Sequence, residues 1–380
     1  MRYFLQGCAL FFYKHLVKPI LFKIKPDKMH DLMIKFASWA GRNRLFSWFI
    51  KYSMTFENEE MLGQKLDNFG GLYFRNPIGL GAGFDKNAVT ASPIERIGFS
   101  YAAFGSTTGR MCPGNPRPWF HRLPEYKSLM INVGLANEGV DVVAKTVSSA
   151  NSVSKTLNVG QSIARTNDKI AADDKEGIQD YVYSLQKLNG KTAFIEVNIS
   201  CPNTFKGEPF TDEKRLDQLL TELDKVNPSQ PITLKMPSDK SWEDFKSLLE
   251  VAIRHNVQGV TIANLRKDRV GMEIPDDWKG NLSGKPTWDR SNYLVAKTYL
   301  EYGDKLTIMG LGGVFTAEDA YQKIKAGADL VSVVTALMFE GPAAVPSIKR
   351  GLVKLLKQDG YLNISEARGV EAEKIANKEI

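Results

Sequence analysis

Cysteine and histidine are scarce in this chain of 380 residues. The three cysteines are Cys8, Cys112 and Cys201, with no C-x-x-C pair, and the four histidines show no H-x-H or H-E-x-x-H spacing. A disulfide framework and a structural zinc site are therefore not predicted, and no metal-ligand set is found for metal catalysis. The small, odd number of thiols favours a reducing compartment.

Long apolar runs are also missing. The longest uncharged apolar stretch, 3–13, has eleven residues and includes Gln6, whereas a membrane-spanning helix needs about 18 to 20. Lys14, His15 and Lys18 follow it where a signal peptide would carry small residues at its cleavage site, so secretion is not predicted. No Ser-, Pro- or Gly-rich linker interrupts the chain after residue 77, which indicates one main domain.

Positive charge is concentrated at the N-terminus. The formal net charge is +7, and residues 1–51 hold ten Lys or Arg against only Asp27 and Asp31. Aromatic residues alternate with these cations, which is typical of a segment that lies on a membrane surface. The alternative is a helix pair packed on its own domain. No nucleic-acid motif accompanies the charge, so nucleic acid is not a predicted partner.

The same segment is expected to form short helices. Pro19 and Pro26 are predicted to break it, and Asp27 is predicted to cap a helix whose apolar face includes Met29, Met33 and Phe36. An Arg- and Ser-rich leader is not evident, which favours the cytoplasmic face of a bacterial inner membrane over a mitochondrial location.

Eight apolar or β-branched runs alternate with helical patterns from residue 77 onward. The predicted strands are 77–82, 101–107, 156–160, 193–200, 232–236, 259–264, 306–310 and 330–335. Asp212, Ser241 and Thr316 precede helical patterns and are predicted N-caps. Eight strands in strict alternation with helices favour a closed (β/α)8 TIM barrel over an open doubly wound sheet.

Residues at the carboxyl ends of barrel strands face the active site, so these positions are candidate functional residues. Gly312 and Gly313 predict an anion cradle, although a simple tight turn is the alternative. Asn198, Asn203 and Asn264 suit a planar heterocycle with imide and amide edges, because a carboxamide both donates and accepts. No carboxylate pair accompanies them, which argues against glycosidase chemistry.

Two further side chains leave alternatives open. Lys235 suits a Schiff base or a cation beside an electron-rich cofactor. Cys201 suits a nucleophile, a base or a small buried residue.

Five motifs together resemble the dihydroorotate dehydrogenases, FMN enzymes of pyrimidine synthesis built on this barrel. They are NISCPNT (198–204), GLGAGFDK (79–86), PGNPRP (113–118), LSGKP (282–286) and GLGG (310–313), in the family's order. The stretch 18–30 is similar to the N-terminal helices of the membrane-associated, quinone-reducing class. The predicted division is therefore an amphipathic helical segment at 1–55, an FMN-binding barrel at 56–365 and a polar tail at 366–380.

The resemblance implies roles for particular residues. The catalytic residues would be Cys201, Lys86 and Lys235. Cys201 would be the base that removes the C5 proton of dihydroorotate, while hydride passes from C6 to flavin N5. Lys86 and Lys235 would lie near the flavin, where Lys235 would stabilise negative charge on the reduced ring. FMN would contact Ala82, Gly83, Lys86, Ser106, Asn158, Asn198, Lys235, Gly284, Gly312, Gly313, Thr335 and Ala336. Dihydroorotate or orotate would contact Lys86, Asn132, Asn198, Asn203 and Asn264. The implied electron acceptor is a membrane quinone.

The chain also departs from the family pattern. Cys201 stands where the quinone class usually has Ser, Leu265 replaces a hydroxyl residue, NVGLAN (132–137) is one residue short, and Thr335-Ala336 replaces Ser-Gly. A free thiol has a pKa of about 8.5, so activity is expected to climb toward alkaline pH unless the site lowers that value. Two alternatives are a soluble-type enzyme that uses fumarate or another acceptor, and a flavin-binding membrane protein with lost or altered activity.

Overall fold

A computed structural model describes residues 2–378 of the chain. The strands are β1 (Gln64–Leu66), β2 (Leu72–Phe74), β3 (Ile78–Leu80), β4 (Tyr101–Thr107), β5 (Phe120–Leu123), β6 (Ser128–Ile131), β7 (Asn158–Ile163), β8 (Phe194–Asn198), β9 (Ile232–Lys235), β10 (Gly259–Ile262), β11 (Asn281–Leu282), β12 (Thr307–Leu311) and β13 (Leu330–Val333).

Helices surround the barrel and also form the N-terminal segment. They are α1 (Arg2–Phe12), α2 (Lys18–Leu21), α3 (Pro26–Arg42), α4 (Arg44–Met54), α5 (Ala91–Ile97), α6 (Val140–Val153), α7 (Asp174–Leu188), α8 (Glu213–Asp224), α9 (Trp242–Arg254), α10 (Trp288–Tyr302), α11 (Ala317–Lys325), α12 (Thr335–Glu340), α13 (Ala344–Asp359) and α14 (Ala372–Ala376).

Eight parallel strands close into a barrel, which confirms the predicted TIM barrel. The strand order around it is β3-β4-β7-β8-β9-β10-β12-β13, and β13 pairs with β3 to complete the ring. Each predicted apolar run overlaps one of these strands, although β7 extends three residues and β12 one residue beyond the predicted end. The predicted caps are confirmed as well, since Asp212, Ser241 and Thr316 each accept a hydrogen bond from a backbone N–H in the first turn of α8, α9 and α11.

Aromatic side chains close the amino-terminal end of the barrel. The hairpin of β1 and β2 covers this end, and Phe69, Phe74, Tyr101 and Phe194 pack together with Met309 inside it. A Cβ added to Gly160 of β7 would lie 2.2 Å from the Phe194 ring, so this position leaves no room for a side chain. The opposite, carboxyl end of the barrel therefore holds the space for a ligand.

The N-terminal helices depart from the prediction at Pro19. Helix α1 continues through a π-helical turn, Tyr13–Val17, directly into α2, and Val17 and Lys18 keep helical backbone angles. Proline lacks the N–H for the usual bond and clashes with the carbonyl four residues earlier, and a π turn relaxes that spacing. Pro26, in contrast, begins α3 as predicted.

Asp27 is not the N-cap of α3, which corrects the prediction. The cap position is Lys25, and Asp27 lies in the first turn. Its carboxylate accepts a hydrogen bond at 2.8 Å from the backbone N–H of Trp119, in the loop that precedes β5. Asp27 therefore fastens α3 to the barrel.

Several large apolar side chains of the N-terminal helices remain exposed. Those at least half exposed are Phe11, Phe12, Leu16, Ile20, Trp39, Leu45, Trp48 and Phe49. Within residues 2–378, none of the helices combines the length and the hydrophobicity needed to cross a bilayer.

The C-terminal residues pack on the barrel as far as they are described. Helix α14 contacts α10, and Ile375 is buried there. Arg368 pairs with Asp329 at 2.9 Å, and Lys325 pairs with Glu371 at 2.5 Å. The predicted boundary at residue 365 stays a prediction.

Candidate active site

One cavity of about 550 Å³ extends from the carboxyl end of the barrel to the space between α3 and α4. The barrel end is lined by most of the predicted site residues: Ala82, Gly83, Lys86, Ser106, Asn198, Cys201, Asn203, Lys235, Asn264, Gly284, Gly312, Gly313 and Thr335. The helical end is apolar, with Met29, Met33, Phe36, Ala37, Phe46, Phe49 and Ile50 among its lining residues. Residues from distant parts of the sequence are therefore gathered around a single space.

Cys201 follows β8 in the loop that borders the cavity. Burial raises the pKa of the Cys201 thiol to about 11, although the backbone N–H of Asn203 and the charge of Lys235 act in the opposite direction. The site therefore holds a protonated thiol at neutral pH. Burial outweighs these two opposing influences, so the pKa of Cys201 lies above that of a free thiol.

Lys86 lies in the loop after β3. Its Nζ donates to the Gly83 carbonyl at 3.1 Å. Burial lowers the pKa of Lys86 to about 8, and the carboxylates of Asp85 and Asp31 oppose this shift. Asp85 holds the loop in shape, because its buried carboxylate accepts from the N–H and the hydroxyl of Thr90, both at 2.7 Å.

The carboxamides near Cys201 are fixed by hydrogen bonds. Asn198 donates to Ser106 Oγ at 2.8 Å, and Asn203 donates to the Ile131 carbonyl at 2.9 Å. Asn264 donates to the Ser200 carbonyl at 2.6 Å. Each side chain therefore has a defined orientation in which part of its hydrogen-bonding capacity is already used.

The residues of the predicted anion cradle come from three separate segments of the chain and line the same cavity. Gly284, Gly312 and Gly313 have φ values of 72°, 114° and 74°, which favour glycine. A Cβ on Gly312 would lie 2.5 Å from Thr287 Oγ1, so a side chain would also crowd the loop. Thr335 adds a hydroxyl that donates to Ser283 Oγ at 3.0 Å. Backbone N–H groups and a hydroxyl converging on a cavity suit a phosphate.

Three predicted site residues are placed elsewhere. Asn158 begins β7 at the opposite end of the barrel and donates to the Tyr73 carbonyl at 2.9 Å, which contradicts its expected place at a carboxyl end. Asn132 accepts from Asn115 at 2.9 Å and lines a neighbouring polar cavity together with Asn203. Ala336 is buried in α12 and does not line the main cavity.

Two polar residues of the cavity have no role in the sequence prediction. The Nε2 atom of His30, in α3, lies 2.9 Å from the Phe84 carbonyl oxygen. Burial lowers the pKa of His30 to about 4, so the imidazole ring is neutral at pH 7. Because a carbonyl oxygen can only accept, Nε2–H is the donor. Arg122 of β5 donates to the carbonyls of Phe22 and Ile24 at 3.1 and 2.7 Å. The resemblance around 18–30 is the only sequence signal for His30, and no motif includes Arg122.

Helix α3 is bonded to two loops at the barrel mouth. His30 reaches the loop after β3 through Phe84, and Asp31 pairs with Arg117 at 2.9 Å. Arg117 also stacks over the Trp119 ring, at 4.1 Å from its centroid. The N-terminal segment therefore helps to position the loops that carry Lys86 and Asn115.

Eight parallel strands with polar side chains gathered at their carboxyl ends define the class of (β/α)8-barrel enzymes. A family model described as dihydroorotate dehydrogenase matches residues 65–356, so the chain belongs to the dihydroorotate dehydrogenase family.

Relatives named dihydroorotate dehydrogenase (quinone) match nearly the whole chain. The protein from Nautilia profundicola is 33% identical over 368 residues, covering 96% of this chain and 99% of the relative. The protein from Nostoc punctiforme is also 33% identical, covering 94% and 98%. The crystal structure of ligand-free DHODH from Eimeria tenella superimposes with a TM-score of 0.79 at 23% identity, covering 91% of this chain and 99% of that one, and supports the fold.

Proposed function

We propose that this protein binds FMN, oxidises dihydroorotate to orotate for pyrimidine biosynthesis, and passes the electrons to a membrane quinone. The main support is the single cavity that joins the anion cradle, Cys201 and two lysines to an apolar space between α3 and α4. A polar ligand and an apolar ligand would thus approach one site from two sides. The names of the curated relatives support the same substrate and acceptor.

The residues present fit FMN. Gly284, Gly312, Gly313 and Thr335 would hold its phosphate, and Gly83 has open space where a Cβ would be, so a planar ring can approach the backbone there. Ser106, Asn198 and Lys235 supply polar groups along the same wall. FMN, when bound, supplies the acceptor for the hydride that leaves C6 of the substrate.

Substrate binding and proton removal are assigned to the chain itself. The charged Lys86 would bind the carboxylate of dihydroorotate, and Asn198, Asn203 and Asn264 would contact its amide and imide edges. Cys201 Sγ, as the thiolate, would take the proton from C5. The raised pKa of Cys201 makes this thiolate scarce at neutral pH.

The apolar end of the cavity suits a quinone. Its lining side chains would bury an isoprenoid tail, while neutral His30 and the guanidinium of Arg122 would be available to bind the carbonyls of the head group. Exposed aromatics such as Trp39 and Trp48, with the basic residues among them, would seat this end in the membrane interface. The proposed location is peripheral, on the cytoplasmic face of a bacterial inner membrane.

An anaerobic titration tests this function. The purified protein should be yellow, dihydroorotate should bleach it, and a soluble quinone should restore the colour faster than fumarate or NAD. A protein that dihydroorotate does not bleach would contradict the substrate, and preferential reoxidation by fumarate would favour the soluble-type alternative.

A cavity variant tests the acceptor separately. Ala37→Trp places an indole within the apolar end of the cavity and should slow reoxidation by quinone at least tenfold, while bleaching by dihydroorotate stays within about twofold. Lys35→Trp adds the same side chain at an exposed position of α3 and is the matched control. Equal quinone rates in both variants would exclude this route.

A further inference from the structure

A buried carboxylate lies inside the barrel below the cavity. Glu196, in the middle of β8, is only 1% exposed. Its Oε2 accepts a hydrogen bond at 2.8 Å from Thr261 Oγ1 of β10, across the barrel interior. Its Oε1 has no hydrogen-bond partner within the described part of the chain. Burying such a group is unfavourable unless a nearby cation or water compensates for it.

The cation closest to this oxygen is Lys235. Its Nζ lies 3.8 Å from Glu196 Oε1, which is an ion-pair distance but too long for a hydrogen bond. Among the side chains that the structure describes, no other cation lies within ion-pair distance of Glu196. Lys235 also borders the cavity. Its ammonium group is therefore shared between a buried carboxylate and the space assigned to FMN.

The strand register fixes the order of these groups along the barrel axis. Asn198 of β8 is level with Lys235 of β9, and Glu196 is level with Thr233, one layer further from the mouth. Thr233 Oγ1 is likewise buried without a hydrogen-bond partner in the described chain. Glu196 therefore lies beneath Lys235 and does not reach the cavity, whose lining does not include it.

We propose that Glu196 is a positioning residue that holds the Lys235 ammonium against the wall of the flavin site and offsets its positive charge. This inference rests on the FMN-binding part of the proposed function. A cation beside a flavin stabilises the reduced, negatively charged ring relative to the oxidised ring. A carboxylate on the other side of that cation reduces this stabilisation. Glu196 would thus set how strongly Lys235 raises the reduction potential of the bound flavin.

The test is a spectroelectrochemical titration of the FMN-loaded protein. Glu196→Gln keeps an acceptor for Thr261 but removes the charge, so the midpoint potential should rise by at least about 30 mV, equal to a tenfold tighter binding of reduced relative to oxidised flavin. Lys235→Met should lower the potential. The double variant should match Lys235→Met, because Glu196 acts through Lys235.

Thr261→Val is the structural control. It removes the hydrogen bond to Glu196 but keeps the carboxylate charge, and its potential should remain that of the parent protein. Should Glu196→Gln fail to fold, Glu196→Asp draws the carboxylate away from Lys235 and should give a smaller rise.

Two results would overturn the inference. The first leaves the proposed FMN site intact, whereas the second also contradicts part of it. An unchanged or lower potential in the Glu196 variants, with Lys235→Met still lowering it, rejects the role of Glu196 alone. An unchanged potential in Lys235→Met as well also rejects the placement of Lys235 at the flavin in the proposed function.

Discussion

The acidity of Cys201 gives the sharpest prediction for the proposed chemistry. Burial raises the pKa of this thiol to about 11, so roughly one site in ten thousand carries the thiolate at pH 7. If the thiolate is the base, the rate of proton removal follows its population. Flavin bleaching by dihydroorotate should therefore rise about tenfold per pH unit, or about a hundredfold between pH 7 and pH 9.

The assay is an anaerobic stopped-flow measurement of a single turnover at saturating dihydroorotate. Saturation is needed because burial lowers the pKa of Lys86 to about 8, so a charge that binds the substrate is lost over the same range and the dissociation constant of dihydroorotate rises. The bleaching rate at saturation reports the base, whereas the half-saturating concentration of dihydroorotate reports Lys86.

Two alanine variants complete the experiment. Cys201→Ala should abolish flavin bleaching by dihydroorotate, together with its increase toward alkaline pH, while FMN stays bound. Cys112→Ala removes another buried thiol, whose Sγ donates to the Gly134 carbonyl at 3.4 Å and which does not line the main cavity, so its profile should match the parent. A bleaching rate that is flat from pH 7 to pH 9, or a Cys201→Ala variant that keeps the slope, would refute the assignment of Cys201 as base.

Two further predictions concern cofactor binding and stability. Gly312→Ala should weaken FMN binding tenfold or more, because the added Cβ crowds Thr287. The measurement is the increase in flavin fluorescence when FMN is released on dilution. Gly360→Ala is the control, since Gly360 also has a positive φ but an added Cβ would have no atom within 4 Å, and FMN binding should be unchanged. Glu59→Ala leaves the buried Lys349 without its carboxylate partner and should lower the free energy of unfolding by about 3 to 5 kcal/mol in a denaturant titration. Lys65→Ala, at an exposed pair with Asp67, should change it by less than about 1 kcal/mol.

The barrel could be predicted from the sequence because its strands are short, buried and mostly apolar. The largest difference is at the third strand, which the pattern predicts to end at residue 160, whereas β7 continues to Ile163 through Gln161 and Ser162. Those two polar residues are fully buried, and Ser162 bonds to Ser106 beside the cavity. Hydrophobicity therefore does not locate the carboxyl end of a strand whose last residues are buried but polar. For this reason the sequence pattern places Asn158 near the carboxyl end of β7, whereas it is the first residue of that strand.

Contacts between distant residues set the other limit. His30 and Arg122 reach the cavity only because α3 packs against β5, which no local pattern reveals. Glu196 lies within an apolar run, and its ion pair with Lys235 depends on the register of β8 and β9. Pro19 remains helical because the preceding turn is wider than that of an α-helix.

The hydrogen bonds and ion pair between α3 and the barrel mouth bear on how a version of this enzyme with a less apolar surface could be made. Cutting away the first forty residues would remove His30 from the Phe84 carbonyl, Asp27 from the Trp119 backbone and Asp31 from Arg117. Such a truncated protein would lose order in the loops after β3 and before β5, together with its exposed apolar surface. Replacing the outward-facing Leu45 and Trp48 with polar residues would leave those three fastenings intact.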